Sequence, residues 1–275
     1  MPRAAHRHGV PTGVPPLTYS PRLLEKLQQF AFKDDTFFTV ACEQFPEVAE
    51  FILRILFDKP SLKVLRVTPQ RNIGALLGRS LRLDVLATGD DGRIYNIEVQ
   101  QASAGAIPKR ARFHSSAIDN AFLPKGEDFA RLPESWVVFI TQHDVIGSGH
   151  MMYHIDRVVA ETGLPFRDEA HIVYACMDNA DFTPAGQLLD DLQRRAASDI
   201  HYPLLAQTMR YLKETTKGVS SMCEIMEEAI KYDRMETAAK MLKKGIITEE
   251  EAMDNFDLTE DEIRQIAAPN AVFFK

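Results

Sequence analysis

Between Leu81 and Gln101 the chain reads LRLDVLATGDDGRIYNIEVQQ, and three polar residues fall where a sheet ordinarily carries apolar ones: Asp84, Glu98 and Gln100. If Asp84 and Glu98 are brought together they repel, unless the pair shares a proton, meets a basic partner or binds a divalent cation. For the last option, a set of hard oxygen donors without His or Cys favours Mg²⁺ or Mn²⁺ over zinc. Such an ion polarises a phosphodiester and generates hydroxide from bound water. The competing arrangement is a solvent-facing strand pair whose acids meet Arg82 and nearby lysines.

Whether the acids meet depends on the turn between the strands. A two-residue turn at Asp90-Asp91 pairs Asp84 with Ile97 and sends Glu98 to the other face. A three-residue loop, Asp90-Asp91-Gly92, pairs Asp84 with Glu98. The second is favoured, because a type I turn followed by a residue at positive φ is a common hairpin and Gly92 stands at that position. One face then carries Arg82, Asp84, Leu86, Ile94, Asn96, Glu98 and Gln100, with the two acids directly opposite at ~5 Å between β-carbons. The other carries Leu81, Leu83, Val85, Ala87, Tyr95, Ile97 and Val99, and is the core face.

The elements that must hold this hairpin follow from period and punctuation. Ser20-Pro21 opens a helix with Leu23, Leu24, Leu27 and Phe30 at helical spacing. A second helical stretch carries Phe37, Phe38, Val40 and Ala41. Pro46 opens a third, running to about Phe57, whose wide apolar face should pack on a sheet. From Ser61 the period becomes alternating: strands are expected at Leu62 to Val67, Leu81 to Thr88 and Arg93 to Gln100. A helix spans about Pro108 to Phe122. Trp136 to Thr141 reads as a strand covered on both faces, and His150 to Val159 and His171 to Met177 as two more. Beyond Pro184 the pattern is helical: Ala185 to Ala197, Pro203 to Lys217 and Met222 to Lys244, then two capping boxes at Thr248-Glu251 and Thr259-Glu262. The expected organisation is an N-terminal arm (1–20, disordered), an α/β domain (21–183) and a helical C-terminal region (184–275).

Composition narrows the function classes. With 45% hydrophobic and 26% charged residues the chain is an ordinary globular protein. No apolar run approaches the ~20 residues of a membrane span, and no apolar segment follows the basic N-terminus as a secretory signal requires. A cytoplasmic location without membrane contact is the expectation. The three cysteines, Cys42, Cys176 and Cys223, form no C-x-x-C pair and suggest neither zinc nor disulfides. A net charge of −7 provides no global attraction to nucleic acid, so DNA binding would need a local basic patch. His150 and His154 would share a strand face but lie ~13 Å apart, too far for one ion. The acidic C-terminal helix pair is unsuited to a major groove and better suited to self-association or a partner. No phosphate-binding loop, nucleophile elbow or dinucleotide fingerprint is present.

Asp84, a turn, Glu98-Val99-Gln100 and then a basic helix together resemble the PD-(D/E)XK nuclease superfamily. R-L-D-V-L-A with Y-N-I-E-V-Q-Q, followed by Lys109-Arg110-Ala111-Arg112-Phe113, is similar more specifically to the recombination-promoting nuclease and putative transposase family. The resemblance runs from about Asp35 to Asn179, and the Met222–Glu228 segment also resembles that family's C-terminal helices. It implies a restriction-endonuclease-like α-β-β-β-α-β core with a mixed central sheet, followed by an α-helical tail. It implies an Mg²⁺ (or Mn²⁺)-dependent DNA endonuclease tied to recombination or a mobile element. The metal ligands would be Asp84, Glu98 and the Val99 carbonyl, with Asp35 or Glu43 as an accessory acid. Gln100 stands where the wider superfamily usually has Lys, and this family commonly has E-x-Q. Gln offers dipoles but no charge, so Arg82, opposite Gln100 in this register, and Arg110 or Arg112 are candidates for the missing cation. Leu83 replaces the Pro of the superfamily's name. Lys109, Arg110 and Arg112 would contact DNA phosphates, and a homo-oligomer would form through the C-terminal helices. The rival expectation is a catalytically silent nuclease fold that binds protein or nucleic acid.

Overall fold

A computed structural model describes residues 19–73 and 81–267. The arm expected to be disordered, 1–20, lies outside the described residues except for its last two. Helix α1 (Pro21–Gln29) begins as anticipated, with the Ser20 hydroxyl accepting from the Leu23 N–H and Pro21 in the first turn. Helices α2 (Asp35–Gln44) and α3 (Pro46–Leu56) follow.

Six strands form one sheet: β1 (Val64–Ile73), β2 (Leu81–Gly89), β3 (Ile94–Gln100), β4 (Ser135–Thr141), β5 (Met152–Ile155) and β6 (Ala170–Cys176). Their order is β1-β2-β3-β4-β6-β5. β1 with β2, β2 with β3 and β5 with β6 pair antiparallel, while β3, β4 and β6 run parallel. Helix α4 (Pro108–Phe122) makes the crossover from β3 to β4, with a short 3₁₀ turn (Ser103–Ala106) before it. The fold is therefore the expected mixed α/β sheet flanked by helices, with a helical C-terminal region.

The hairpin has the three-residue loop. Gly89 N–H donates to the Arg93 carbonyl (2.8 Å), Gly92 N–H to the Gly89 carbonyl (3.1 Å), and Gly92 takes φ +83°. Residue pairs run from Thr88–Ile94 to Val85–Ile97, so one step further Asp84 stands opposite Glu98.

Several expectations change in detail. β1 extends past Val67 through Pro69, which hid its continuation; as the edge strand it tolerates a residue without an N–H. β5 is four residues rather than the whole of His150 to Val159. Leu83 does not share a core face with Val85. It packs with Leu86 and Ile94 under α4, because alternation breaks around Asp84, where β2 leaves its ladder with β3. α5 (Pro184–Asp191) stops short of Ala197 because the buried Asp191 carboxylate turns outward from the helix to accept the His201 and Tyr202 N–H groups (2.8 and 2.7 Å). α6 (Pro203–Glu214) gives way at Thr215, which caps α7 (Thr216–Lys243) by accepting from the Gly218 N–H. α7 thus begins six residues before Met222. Gly218 permits that junction, since a Cβ there would stand 2.0 Å from the Tyr211 carbonyl oxygen. α8 (Glu249–Phe256) and α9 (Glu260–Ala267) carry the two reciprocal capping boxes.

The hydrophobic core does not divide at residue 184. One cluster runs from Leu23 and Phe38 through Val85, Ile97 and Val138 to Leu205, Met222 and Met226, so α5, α6 and the first half of α7 share a core with α1 to α3 and one sheet face. Lys213 adds a polar tie, donating to the carbonyls of Gln28, Phe30 and Arg195 (3.1, 2.5 and 2.6 Å). A second cluster joins α4 to the opposite face. A third, around Met235, Ala238, Ile263 and Ile266, holds the end of α7 to α8 and α9.

Gly92 is the hinge of the register. Gly92→Ala should cost about 1–2 kcal/mol through forced positive φ alone, since the added methyl meets nothing within 4 Å. Gly92→Asn should cost less, Asn being at home in that region. Denaturant unfolding of both variants checks this, and equal stability of Ala and Gly would show that the turn has another way to close.

Candidate active site

The site begins where the β2–β3 ladder ends. Beyond Val85–Ile97 the acid side chains take over from main-chain pairing: Asp84 N–H donates to Glu98 Oε1 (3.1 Å), and Val99 N–H donates to Asp84 Oδ2 (3.1 Å). Each acid thus braces the other's strand with one oxygen. Asp84 is 8% exposed and Glu98 is fully buried, and Glu98 Oε2 has no hydrogen-bond partner. The face predicted to carry these acids is therefore not a solvated one, because α4 covers it.

Burial and mutual repulsion set the electrostatics. Burial, then the charges of Glu98 and Asp35, push the Asp84 pKa well above the carboxylate range; the Val99 N–H and Arg110 oppose this. Burial likewise pushes Glu98 up to about 7, against the Asp84 N–H, the Asn96 amide and Arg110. Two acids this unwilling to ionise together, one with an oxygen that no protein group satisfies, fit a divalent cation. Among the described residues no three His, Cys, Asp or Glu side chains converge as a ligand set. What the pair itself offers is two hard carboxylates, the kind of donor Mg²⁺ takes together with retained waters.

Around this pair the other candidates separate. Asp35, the first residue of α2, acts electrostatically on both acids. Glu43, eight residues further along the same helix, lies about 12 Å along its axis and is exposed. The α2 N-terminus is fixed by Gln101, whose Nε2 donates to Asp34 Oδ1 (2.7 Å). Arg110 reaches the site, its Nη2 3.8 Å from Glu98 Oε2. Arg82 bears instead on Tyr232 of α7. Gln100 lies along Gly105: a Cβ at Gly105 would stand 2.1 Å from Gln100 Oε1 and 3.7 Å from Arg110 Nη1, so the missing side chain leaves room for both. Val99 contributes its N–H to Asp84, and its side chain lies in the core. Lys109 and Arg112 are exposed on the first turns of α4.

Sequence reasoning placed Asn96 on the acids' face and His114 close behind the basic residues of α4 without giving either a part in the site, and it passed over Gly105. His114 is fully buried, its Nδ1 3.5 Å from Glu98 Oε1, and its Nε2 accepts from Arg110 Nε (3.2 Å). Its signal was the four-residue spacing from Arg110 on one helix face.

A mixed six-stranded sheet flanked by helices, with a helical C-terminal region, is consistent with a PD-(D/E)XK α/β fold. A family model described as PD-(D/E)XK nuclease family transposase matches residues 46–262, and the chain belongs to that family. No curated protein and no solved structure matches the chain closely enough to count as a relative. Among the described residues no helix is long and apolar enough to cross a membrane.

Both acids hold protons more tightly folded than unfolded. Metal-free stability should therefore fall as pH rises from the ordinary carboxylate range through about 7. Thermal unfolding in chelator should show wild type losing melting temperature between pH 5 and pH 8, and Glu98→Gln losing distinctly less. Mn²⁺ should raise the melting temperature of wild type at pH 8 but not that of Glu98→Gln. Parallel pH profiles would mean that Glu98 does not carry the effect.

Proposed function

We propose that the protein is a metal-dependent DNA endonuclease, linked by its family to recombination or a mobile element. The observation that carries this reading is the reciprocal brace of Asp84 and Glu98, which engages one oxygen of each and leaves Glu98 Oε2 without a hydrogen-bond partner. Asp84 and Glu98, with the Val99 carbonyl, would hold Mg²⁺ or Mn²⁺, and Asp35 would serve as the accessory acid. The bound ion supplies Lewis acidity toward a phosphodiester and lowers the pKa of bound water.

The chain's own groups have distinct parts to play. Asp84 and Glu98 enter the reaction already oriented, since the backbone N–H groups fix their planes. Arg110, beside Glu98, offers a cation to charge that develops on the phosphate. Gln100, seated at Gly105, offers amide dipoles that orient a water or a phosphate oxygen. Lys109 and Arg112 supply the local basic patch that a chain of net charge −7 needs, gripping the DNA backbone. The expected setting is cytoplasmic.

The second reading, a silent nuclease fold that only binds, draws on the uncharged Gln100. Incubation of purified protein with supercoiled plasmid and Mg²⁺ or Mn²⁺ separates the two. Wild type should nick it, and Asp84→Ala and Glu98→Ala should each lose on the order of 100-fold or more. Gln100→Ala should lose about tenfold. Nicking that survives unchanged in Asp84→Ala sinks the enzyme reading, whereas DNA binding without any nicking supports the silent one.

A further inference from the structure

Buried polar side chains are generally hydrogen-bonded; α4 buries two, His114 and Ser115, and His114 is the one whose ring reaches both Arg110 and Glu98. Its ring stands edge-on to Phe139 (centroids 5.4 Å apart) in the cluster beneath the helix, yet both nitrogens face polar groups. Arginine can only donate. Since Arg110 Nε lies 3.2 Å from Nε2, that nitrogen is the acceptor and Nδ1 carries the hydrogen. Nδ1 in turn stands 3.5 Å from Glu98 Oε1, whereas the Asn96 amide nitrogen 3.1 Å away is itself a donor and is no partner for an Nδ1 that carries the hydrogen. Burial and the adjacent guanidinium keep the ring neutral, as an acceptor must be.

We infer that His114 is a positioning residue: by accepting from Arg110 Nε it fixes the guanidinium so that Nη2 faces Glu98 Oε2. This rests on the nuclease reading for its consequence but on the contact alone for its existence. Arg110 is 36% exposed and lies on the first turn of α4, where a long side chain would otherwise sample many rotamers. Its approach to Glu98, 3.8 Å, is too long to hold the guanidinium alone. The hydrogen bond to Nε2 fixes one nitrogen of a planar group and so sets the direction of the other two. The open space at Gly105 then admits Nη1. The carboxylate and the cation beside it are thus tied to one imidazole, one at each nitrogen.

The test uses the full-length protein. In Mn²⁺-dependent plasmid nicking, His114→Leu, which lacks the acceptor, should lower kcat about tenfold with little change in KM for DNA. His114→Gln, whose amide oxygen can stand near the Nε2 position, should recover most of the loss. Arg110→Gln combined with His114→Leu should be no slower than Arg110→Gln alone. A folded His114→Gln as slow as His114→Leu, or losses that multiply in the double variant, would overturn the proposal. Should His114→Leu fail to fold, ¹⁵N NMR of the imidazole decides the matter without touching the core. The wild-type Nε2 resonance should be of the unprotonated type and should shift in Arg110→Gln. A resonance that ignores Arg110→Gln overturns the positioning role, whereas absence of cleavage by wild type overturns the nuclease reading instead.

Discussion

Two carboxylates held against each other inside the protein constitute the constraint on which the site depends. Left to themselves, Asp84 and Glu98 would separate or share a proton, since each disfavours the charge of the other and burial disfavours both. The backbone prevents separation. Asp84 Oδ2 is bound to the N–H that follows Glu98 in sequence, and Glu98 Oε1 to the N–H of Asp84 itself. To move either acid, one main-chain donor inside the sheet must lose its partner, at roughly 1–3 kcal/mol. With separation closed off, the repulsion is relieved by proton uptake or by a cation that takes the proton's place. The device requires the ladder to stop at Val85–Ile97, because continued main-chain pairing would occupy the Val99 N–H that Asp84 now uses.

Positive charge reaches both acids from Arg110. Arg110 lowers the pKa of both acids without forming a close ion pair with either, so it moderates the repulsion instead of cancelling it. A guanidinium in full bidentate contact would neutralise Glu98 and compete with a metal for the same oxygen. At 3.8 Å, backed by His114, it leaves Oε2 free. Gly105 contributes by absence, letting Gln100 and Arg110 lie side by side in a space that any larger residue would fill.

The sequence made much of this readable, for reasons that can be traced to particular residues. Gly92 settled the register because a three-residue loop needs a residue at positive φ, and that one fact places Asp84 opposite Glu98. α4 was legible almost to the residue from Pro108 and its helical spacing. Pro69 obscured the length of β1, because whether Pro is tolerated depends on edge position, which local pattern does not contain. The fate of Leu83 was hidden for a related reason: alternation is a local rule, and the break at Asp84 comes from side chains bonding across the hairpin. Choosing between Asp35 and Glu43, or between Arg82 and Arg110, required knowing where α2 and α7 pack. His114 looked like an ordinary helix residue, since nothing local distinguishes a buried polar face from a solvated one.

The helical region after residue 184 bears on the site through the same kind of long-range packing. The loop between α1 and α2, which leads into Asp35, is held on three sides by groups distant in sequence. Gln101, at the end of β3, binds Asp34. The Lys33 N–H donates to the Leu192 carbonyl just past α5. Lys213 of α6 donates to the Phe30 carbonyl and sits 5.6 Å over the Phe37 ring. Two of these anchors come from beyond residue 184, and the shared core extends to Met226. The position of Asp35 is therefore set by the C-terminal helices as much as by the sheet. Up to the middle of α7 those helices belong to the scaffold of the site, and only the end of α7 with α8 and α9, packed on its own small core, has the independence expected of an accessory module.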